Sequence, residues 1–244
     1  MSTEVSPPDV ILLRSSEDPD PYVGAFEAVG IRAVCKPVLT FEFPNEEALR
    51  NRLRTPDRYG GLVATSPRVG WALHRVFDDE GTTHTQWEGR TAYAVGPKTA
   101  DEFRALSFDV QAEEAGTAAE LATEIADTNP QTPLLFLCGN RRMDALPNGL
   151  REAGIDFEEL VVYETRARTD LSLPPPGEET WLSFFSPSGL EAVQQAEMGP
   201  LDEYRYAAIG PTTASALQET GITVEAVAES PTPEALVDAV LRAK

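Results

Sequence analysis

The sequence predicts an α/β protein of two similar lobes, each a parallel sheet flanked by helices. Three observations carry that reading. Short apolar runs of strand type alternate with helical patterns along the chain, which implies parallel sheets with short crossovers. The stretch AAIGPTTA (Ala207 to Ala214) has an earlier copy, AVGPKTA (Ala94 to Ala100), and each is a strand that ends at Gly-Pro and turns at once into a helix. Other segments repeat in register with these two, in the order A-B-A-B.

VILLR (Val10 to Arg14) reads as a buried strand, followed by a helix opening at Asp20-Pro21 and stopping at Gly30. RAVCKPV (Arg32 to Val38) is the next strand, which completes a βαβ unit. TFEFP leads into EEALRNRLR, a helix with acids first and arginines last, as its dipole favours. GLVATS (Gly61 to Ser66) runs into Pro67 and a helical pattern through Trp71 and Phe77. TAYAVG, FDVQA and a helix with a capping box at Thr117 and Glu120 complete the first B segment.

PLLFLCGN (Pro133 to Asn140), a helix ending at Gly154 and ELVVYE repeat the first unit, with Gly154-Ile155 standing on Gly30-Ile31. LPPPGEE reads as a linker. WLSFFSPSG then matches GLVATSPRV, setting Ser186-Pro187 on Ser66-Pro67, and TPEALVDAV stands where TAAELATEI stood. The A segments lie near 9 to 38 and 133 to 163, and the B segments near 61 to 127 and 181 to 242.

Ligands of open α/β sheets sit at the carboxyl ends of the strands. The junctions at Ser66, Gly96, Ser186 and Gly210 should therefore line those ends. Pro97 and Pro211 suit the first helical position, and the N–H groups that follow are open to an anion. If the lobes face each other, the cleft between them carries unpaired backbone donors from all four helix starts and collects the hydroxyls of Ser66, Thr99, Ser186, Ser188, Thr212 and Thr213. Arg14, Arg68, Lys98, Arg141, Arg142, Arg166, Arg168 and Arg205 fall close to the same junctions in sequence. A ligand with several carboxylates would suit such a cationic cleft.

The rest of the composition mostly excludes. Forty acidic side chains against twenty basic ones leave a net charge of −20, which argues against a nucleic-acid or anionic-membrane binder. An acidic, lysine-poor surface suits a high-salt cytoplasm. MSTEVSPPD has neither the basic start nor the apolar core of a signal peptide, and no stretch approaches a membrane span, so a cytoplasmic location is expected. Cys35 and Cys138 read as free buried thiols. His74 on a helix and His84 in a polar loop have no evident triad or metal partners, and there is no GxGxxG, P-loop or metal-ligand cluster. No metal or cofactor is expected. Tyr163, at the end of VVYET, offers a phenolic O–H.

The set TSPR (Thr65 to Arg68), AVGPKTA, LFLCGNRR (Leu135 to Arg142), Leu146-Pro147, VVYET (Val161 to Thr165), FFSPSGL (Phe184 to Leu190), AAIGPTTA and AESPTPEAL (Ala228 to Leu236) resembles the uroporphyrinogen-III synthases. The resemblance spans nearly the whole chain, in order. It implies two lobes joined by crossing strands, with residues 1–39 and 166–244 in lobe one, residues 40–165 in lobe two, and the active site in the cleft. It implies a cofactor-free cyclisation of hydroxymethylbilane, an octacarboxylate, to uroporphyrinogen III, with loss of water and inversion of ring D through a spiro intermediate. By the same resemblance Tyr163 helps the hydroxyl leave. Arg14, Ser66, Arg68, Thr99, Gly139, Asn140, Ser186, Ser188, Arg205, Thr212 and Thr213 are the expected substrate contacts. Arg205 replaces a lysine seen in some members, and Lys98 is not a family constant. A monomer is expected, with transient contact to hydroxymethylbilane synthase. The alternative is a non-catalytic tetrapyrrole-binding or regulatory module of the same fold. The presence of Tyr163, Thr213 and Ser186 together favours the enzyme.

Overall fold

The computed structural model describes residues 7–79, 81–177, 179–196 and 201–244. In chain order the elements are β1 (Val10–Leu13), α1 (Pro21–Ala28), β2 (Ala33–Cys35), β3 (Leu39–Glu42), α2 (Glu46–Leu53), β4 (Gly61–Ala64), α3 (Arg68–Asp79), α4 (Gly81–Thr85), β5 (Thr91–Ala94), α5 (Pro97–Ala105) and β6 (Asp109–Gln111). They continue with α6 (Ala118–Thr128), β7 (Leu134–Gly139), α7 (Ala145–Glu152), β8 (Phe157–Ala167), β9 (Trp181–Phe184), α8 (Pro187–Gln195), β10 (Arg205–Ala208), α9 (Pro211–Glu219), β11 (Ala226–Val227) and α10 (Pro233–Ala243). The first six residues of the expected lobe one, and one residue of the LPPPGEE linker, lie outside the described residues.

The chain forms two compact units. One takes Met1–Thr40 with Arg166–Lys244, and the other takes Phe41–Thr165. The chain leaves the first unit along β3 and returns to it along β8.

Each unit is built on its own sheet. In the first the strand order is β11-β10-β9-β1-β2, and in the second it is β3-β8-β7-β4-β5-β6. Reading β2-β1-β9-β10-β11 against β8-β7-β4-β5-β6 superposes the A segments on each other and the B segments on each other. The repeat in sequence is therefore a repeat of strand order. All of these neighbours pair in parallel, from Val10 beside Ala33 and Trp181 to Gly61 beside Leu134.

The repeated turns have a shared cause. Gly30, Gly154 and Gly221 sit at φ +76°, +71° and +83°, where only glycine is unstrained. Each is followed by an isoleucine whose N–H reaches back across the helix end: Ile31 to the Phe26 carbonyl at 3.0 Å, Ile155 to Leu150 at 2.9 Å and Ile222 to Leu217 at 3.1 Å. These are Schellman closures, and they explain why Gly-Ile recurs.

Both faces of each sheet are covered, so the central strands β1, β4 and β7 carry continuous apolar runs and no alternation. Val10, Leu12, Trp181 and Ala207 pack with Phe26 and Leu236 on one face of the first sheet, while Ile11, Leu182 and Phe184 pack with Leu190 and Leu217 on the other. In the second sheet Leu135 and Leu137 join Leu73, Trp87 and Phe103, and Leu134 and Phe136 join Leu121 and Leu150. A fully buried leucine or phenylalanine stabilises by about 1.5–3 kcal/mol. Trp87 also satisfies its indole N–H, which donates to the Leu53 carbonyl at 2.8 Å.

Candidate active-site residues at the carboxyl edges of the sheets

Parallel strands place the start of each following helix at one edge of the sheet. In the first unit Arg14 follows β1, Ser186 follows β9 and Gly210 follows β10. In the second, Ser66 follows β4, Gly96 follows β5 and Asn140 follows β7.

The four repeated helix starts are not equally open. Ser186 caps α8, its Oγ accepting from the Gly189 N–H at 3.1 Å, and Ser66 Oγ accepts from the Arg68 N–H at 3.4 Å. The expectation of unpaired donors at all four junctions is therefore corrected: the serine copies consume some of their own N–H groups. The Gly-Pro copies do not. Gly96 and Gly210 have no side chain to offer, and neither α5 nor α9 has a side-chain cap. Behind them Thr99 and Thr213 are buried, at 3% and 4% exposure, while Thr212 is exposed. Ser188 sits half-buried in the first turn of α8.

Tyr163 is set in place by its neighbour across the sheet. Gly139 pairs with it after a register shift between Cys138 and Gly139. A Cβ at residue 139 would stand 2.4 Å from the Tyr163 Cζ, so the phenol ring lies where any side chain at 139 would be. The Asn140 N–H donates to the Tyr163 carbonyl at 3.2 Å, and its side-chain oxygen accepts from the Thr165 N–H at 2.9 Å. Gly139 and Asn140 thus seat the tyrosine and hold the strand beyond it. The ring is 9% exposed, and its hydroxyl has no hydrogen-bond partner among the described residues. That O–H is free to donate.

Most of the cationic set is already paired. Arg14 pairs with Glu17 at 2.8 Å and Asp20 at 3.0 Å, its guanidinium lying over Tyr22. Arg142 is held by Glu159 and Asp144, and Arg168 by Asp170. Arg141 and Arg166 also have partners. Arg205 is a correction: as the first residue of β10, beside Trp181, it lies at the amino edge, opposite Gly210. There it bonds Glu225 at 2.9 Å and the Ala243 carbonyl at 2.6 Å, with its guanidinium 4.2 Å from the Trp181 ring centre. Two cations remain. Exposed Lys98 lies in the first turn of α5, and Arg68 opens α3, and neither has an acidic partner among the described residues.

His84 and the thiols are packed within the fold. His84 lies in α4 and not in a loop, its ring stacked on Phe77 at 5.0 Å and its Nε2 3.1 Å from the Leu106 carbonyl. Cys138 is buried, while Cys35 is only partly so, and both are free. Burial, reinforced by Asp20 beside Cys35 and by Glu159 beside Cys138, pushes both thiols up to about 12. No described helix is long and apolar enough to cross a membrane.

One pair escaped the sequence reading. Trp71 is 42% exposed beside Arg68, and its ring packs edge-on against Phe41. The signal was available, since Trp71 falls off the apolar stripe of α3 formed by Val69, Ala72, Leu73, Val76 and Phe77.

Fold and site together define a class: an α/β protein of two parallel sheets with matching strand order, each carrying N–H groups and hydroxyls at its strand-to-helix junctions, the second unit also holding a phenol with no hydrogen-bond partner among the described residues. The family model for uroporphyrinogen-III synthase HemD matches residues 20–238. Uroporphyrinogen-III synthase of Schizosaccharomyces pombe is 31% identical over 248 residues, covering 95% of each chain, and that of Saccharomyces cerevisiae is 33% identical over 220 residues, covering 78% of this chain and 80% of its own. The crystal structure of uroporphyrinogen-III synthetase from Helicobacter pylori shares the fold, with a TM-score of 0.71 at 23% identity over 97% of this chain and 100% of that one. The chain belongs to the uroporphyrinogen-III synthase family.

Proposed function

We propose that the protein closes hydroxymethylbilane to uroporphyrinogen III. The observation that carries this reading is the phenol of Tyr163, seated over Gly139 with its hydroxyl unbonded, in a chain matched to the family from residue 20 to residue 238. Tyr163 donates its proton to the ring A hydroxyl, which leaves as water, and the ring A nitrogen lone pair closes an azafulvene. The substituted α-carbon of ring D adds to the azafulvene methylene and gives the spiro intermediate. That intermediate fragments and recloses with ring D inverted, and loss of a proton restores aromaticity. A phenolic O–H suits the donor role.

The rest of the task is positioning, because uncatalysed closure gives isomer I. The open N–H groups of α5 and α9, the hydroxyls of Ser66, Thr99, Ser186, Ser188, Thr212 and Thr213, and the Arg68 cation hold the acetates and propionates. Arg14 supports its edge through Asp20 and is not spare charge. The two units act as lobes at residues 1–39 with 166–244 and residues 40–165. The protein works as a cytoplasmic monomer that takes its short-lived substrate from hydroxymethylbilane synthase. Incubation of the purified protein with freshly made hydroxymethylbilane, followed by separation of the isomers, tests the activity. Isomer III is expected, and isomer I alone refutes it.

A further inference from the structure

Arg68 poses a question of charge. Acidic side chains outnumber basic ones by two to one in this chain, yet this half-buried guanidinium has no carboxylate partner among the described residues, and its Nε is buried without a hydrogen bond. It is held instead by aromatic rings. Its central carbon lies 4.0 Å from the Phe41 ring centre and 5.9 Å from that of Trp71. Such contacts orient a guanidinium without neutralising it.

Trp71 is itself fixed. Its ring stands edge-on to Phe41 at 6.1 Å and 73°, and its indole N–H donates to Glu102 Oε1 at 3.2 Å. Glu102 reaches it because α3 and α5 approach closely at Gly70, where a Cβ would meet the Glu102 Cβ at 2.4 Å. The other Glu102 oxygen faces His74 Nε2 at 3.8 Å. A large ring that is 42% exposed yet pinned from β3 and from α5 has already lost its rotamer freedom, so a ligand stacked on it incurs little further ordering cost. The other two tryptophans, Trp87 and Trp181, are fully buried.

We infer that Trp71, braced by Phe41 and Glu102, is a wall for one pyrrole ring of the substrate, and that Arg68 takes the carboxylate carried by that same ring. This rests on the proposed activity and adds a ring-recognition residue to it. A pyrrole with acidic arms matches the pair: an aromatic face for the indole and a carboxylate within the reach of a guanidinium fork.

Two measurements test it. In turnover of hydroxymethylbilane, Trp71→Ala should raise KM at least fivefold with kcat within twofold, and Trp71→Phe, which keeps a ring, should restore KM to within twofold of wild type. In binding, a monopyrrole bearing one acetate and one propionate should change the tryptophan emission of the wild type and leave that of Trp71→Phe unchanged. A Trp71→Ala KM within twofold of wild type, or an emission change that persists in Trp71→Phe, overturns the wall. If the wild type forms no isomer III, the activity fails, and the emission measurement alone then decides whether the pair binds a pyrrole acid.

Discussion

Gly139 and Tyr163 occupy one space: the tyrosine's Cζ, Cε2 and hydroxyl oxygen lie 2.4, 2.6 and 2.7 Å from where a Cβ at residue 139 would be. The atoms crowded are the reactive end of the phenol, so Gly139→Ala must displace the ring. Overpacking of this kind costs about 1–3 kcal/mol. Turnover is expected to fall at least tenfold, and the loss of stability should nearly vanish in a Tyr163→Ala background, where the obstructing ring is gone. Equal destabilisation in both backgrounds, measured by denaturant unfolding, would show that the glycine is needed for something else.

Tyr163→Phe keeps the ring over Gly139 and deletes only the O–H. Since that hydroxyl has no partner among the described residues, no buried group is orphaned and the fold should be unaffected. The substitution should lower kcat by about 10²-fold or more, the usual scale for a lost proton donor, and weaken product binding far less. Wild-type turnover in this variant would remove Tyr163 from the mechanism.

The repeat was legible because its punctuation is backbone chemistry. Gly30 and Gly154 are glycine for their positive φ, and Pro97, Pro187 and Pro211 open helices, so matching Gly30 with Gly154, Pro67 with Pro187 and Pro97 with Pro211 aligned the two sheets strand by strand. Periodicity said nothing of which A segment joins which B segment, because pairing β1 with β9 spans most of the chain. Edges were legible only for residues after a strand. Arg205 lies five residues before Gly210 in sequence, but β10 runs between them, and roughly 3.3 Å per residue carries it to the far edge. Charge partners were not legible at all. Nothing local says that Arg142 is bound to Glu159 while Arg68 rests on Phe41.

That placement makes Arg205 a test of edges. Arg205→Ala removes bonds to Glu225 and to the Ala243 carbonyl and uncovers Trp181. Stability should fall by about 1–3 kcal/mol, with KM for hydroxymethylbilane within twofold of wild type. A tenfold rise in KM in the folded variant would return Arg205 to the binding set.

The thiols make a separate prediction. With both raised to about 12, only roughly one part in 10⁴ is thiolate at pH 8. Neither Cys35 nor Cys138 should react with an aromatic disulfide reagent within minutes in the native protein, and both should react at once in denaturant. Rapid labelling of one native thiol would mean that its burial is not maintained in solution.

Asp20 predicts the acid behaviour of the first unit. Burial alone would raise its carboxyl, but the N–H groups of Glu17 and Val23, together with Arg14 and the Cys35 thiol, hold it below its usual value of 3.8. Its Oδ1 accepts from Tyr22 and Val23 at 3.0 and 3.1 Å, which caps α1. Because the folded pKa is the lower one, the unfolded chain takes up the proton first as pH falls. The stabilisation is therefore complete above the unfolded value near ~4 and is lost as pH drops through the folded value. Asp20→Asn keeps a capping oxygen and loses the charge, so it should cost about 1 kcal/mol at neutral pH. Its melting temperature should also fall less steeply than that of the wild type below pH ~4. Parallel melting curves for the two proteins across that range would show that Asp20 titrates alike in the folded and unfolded chains.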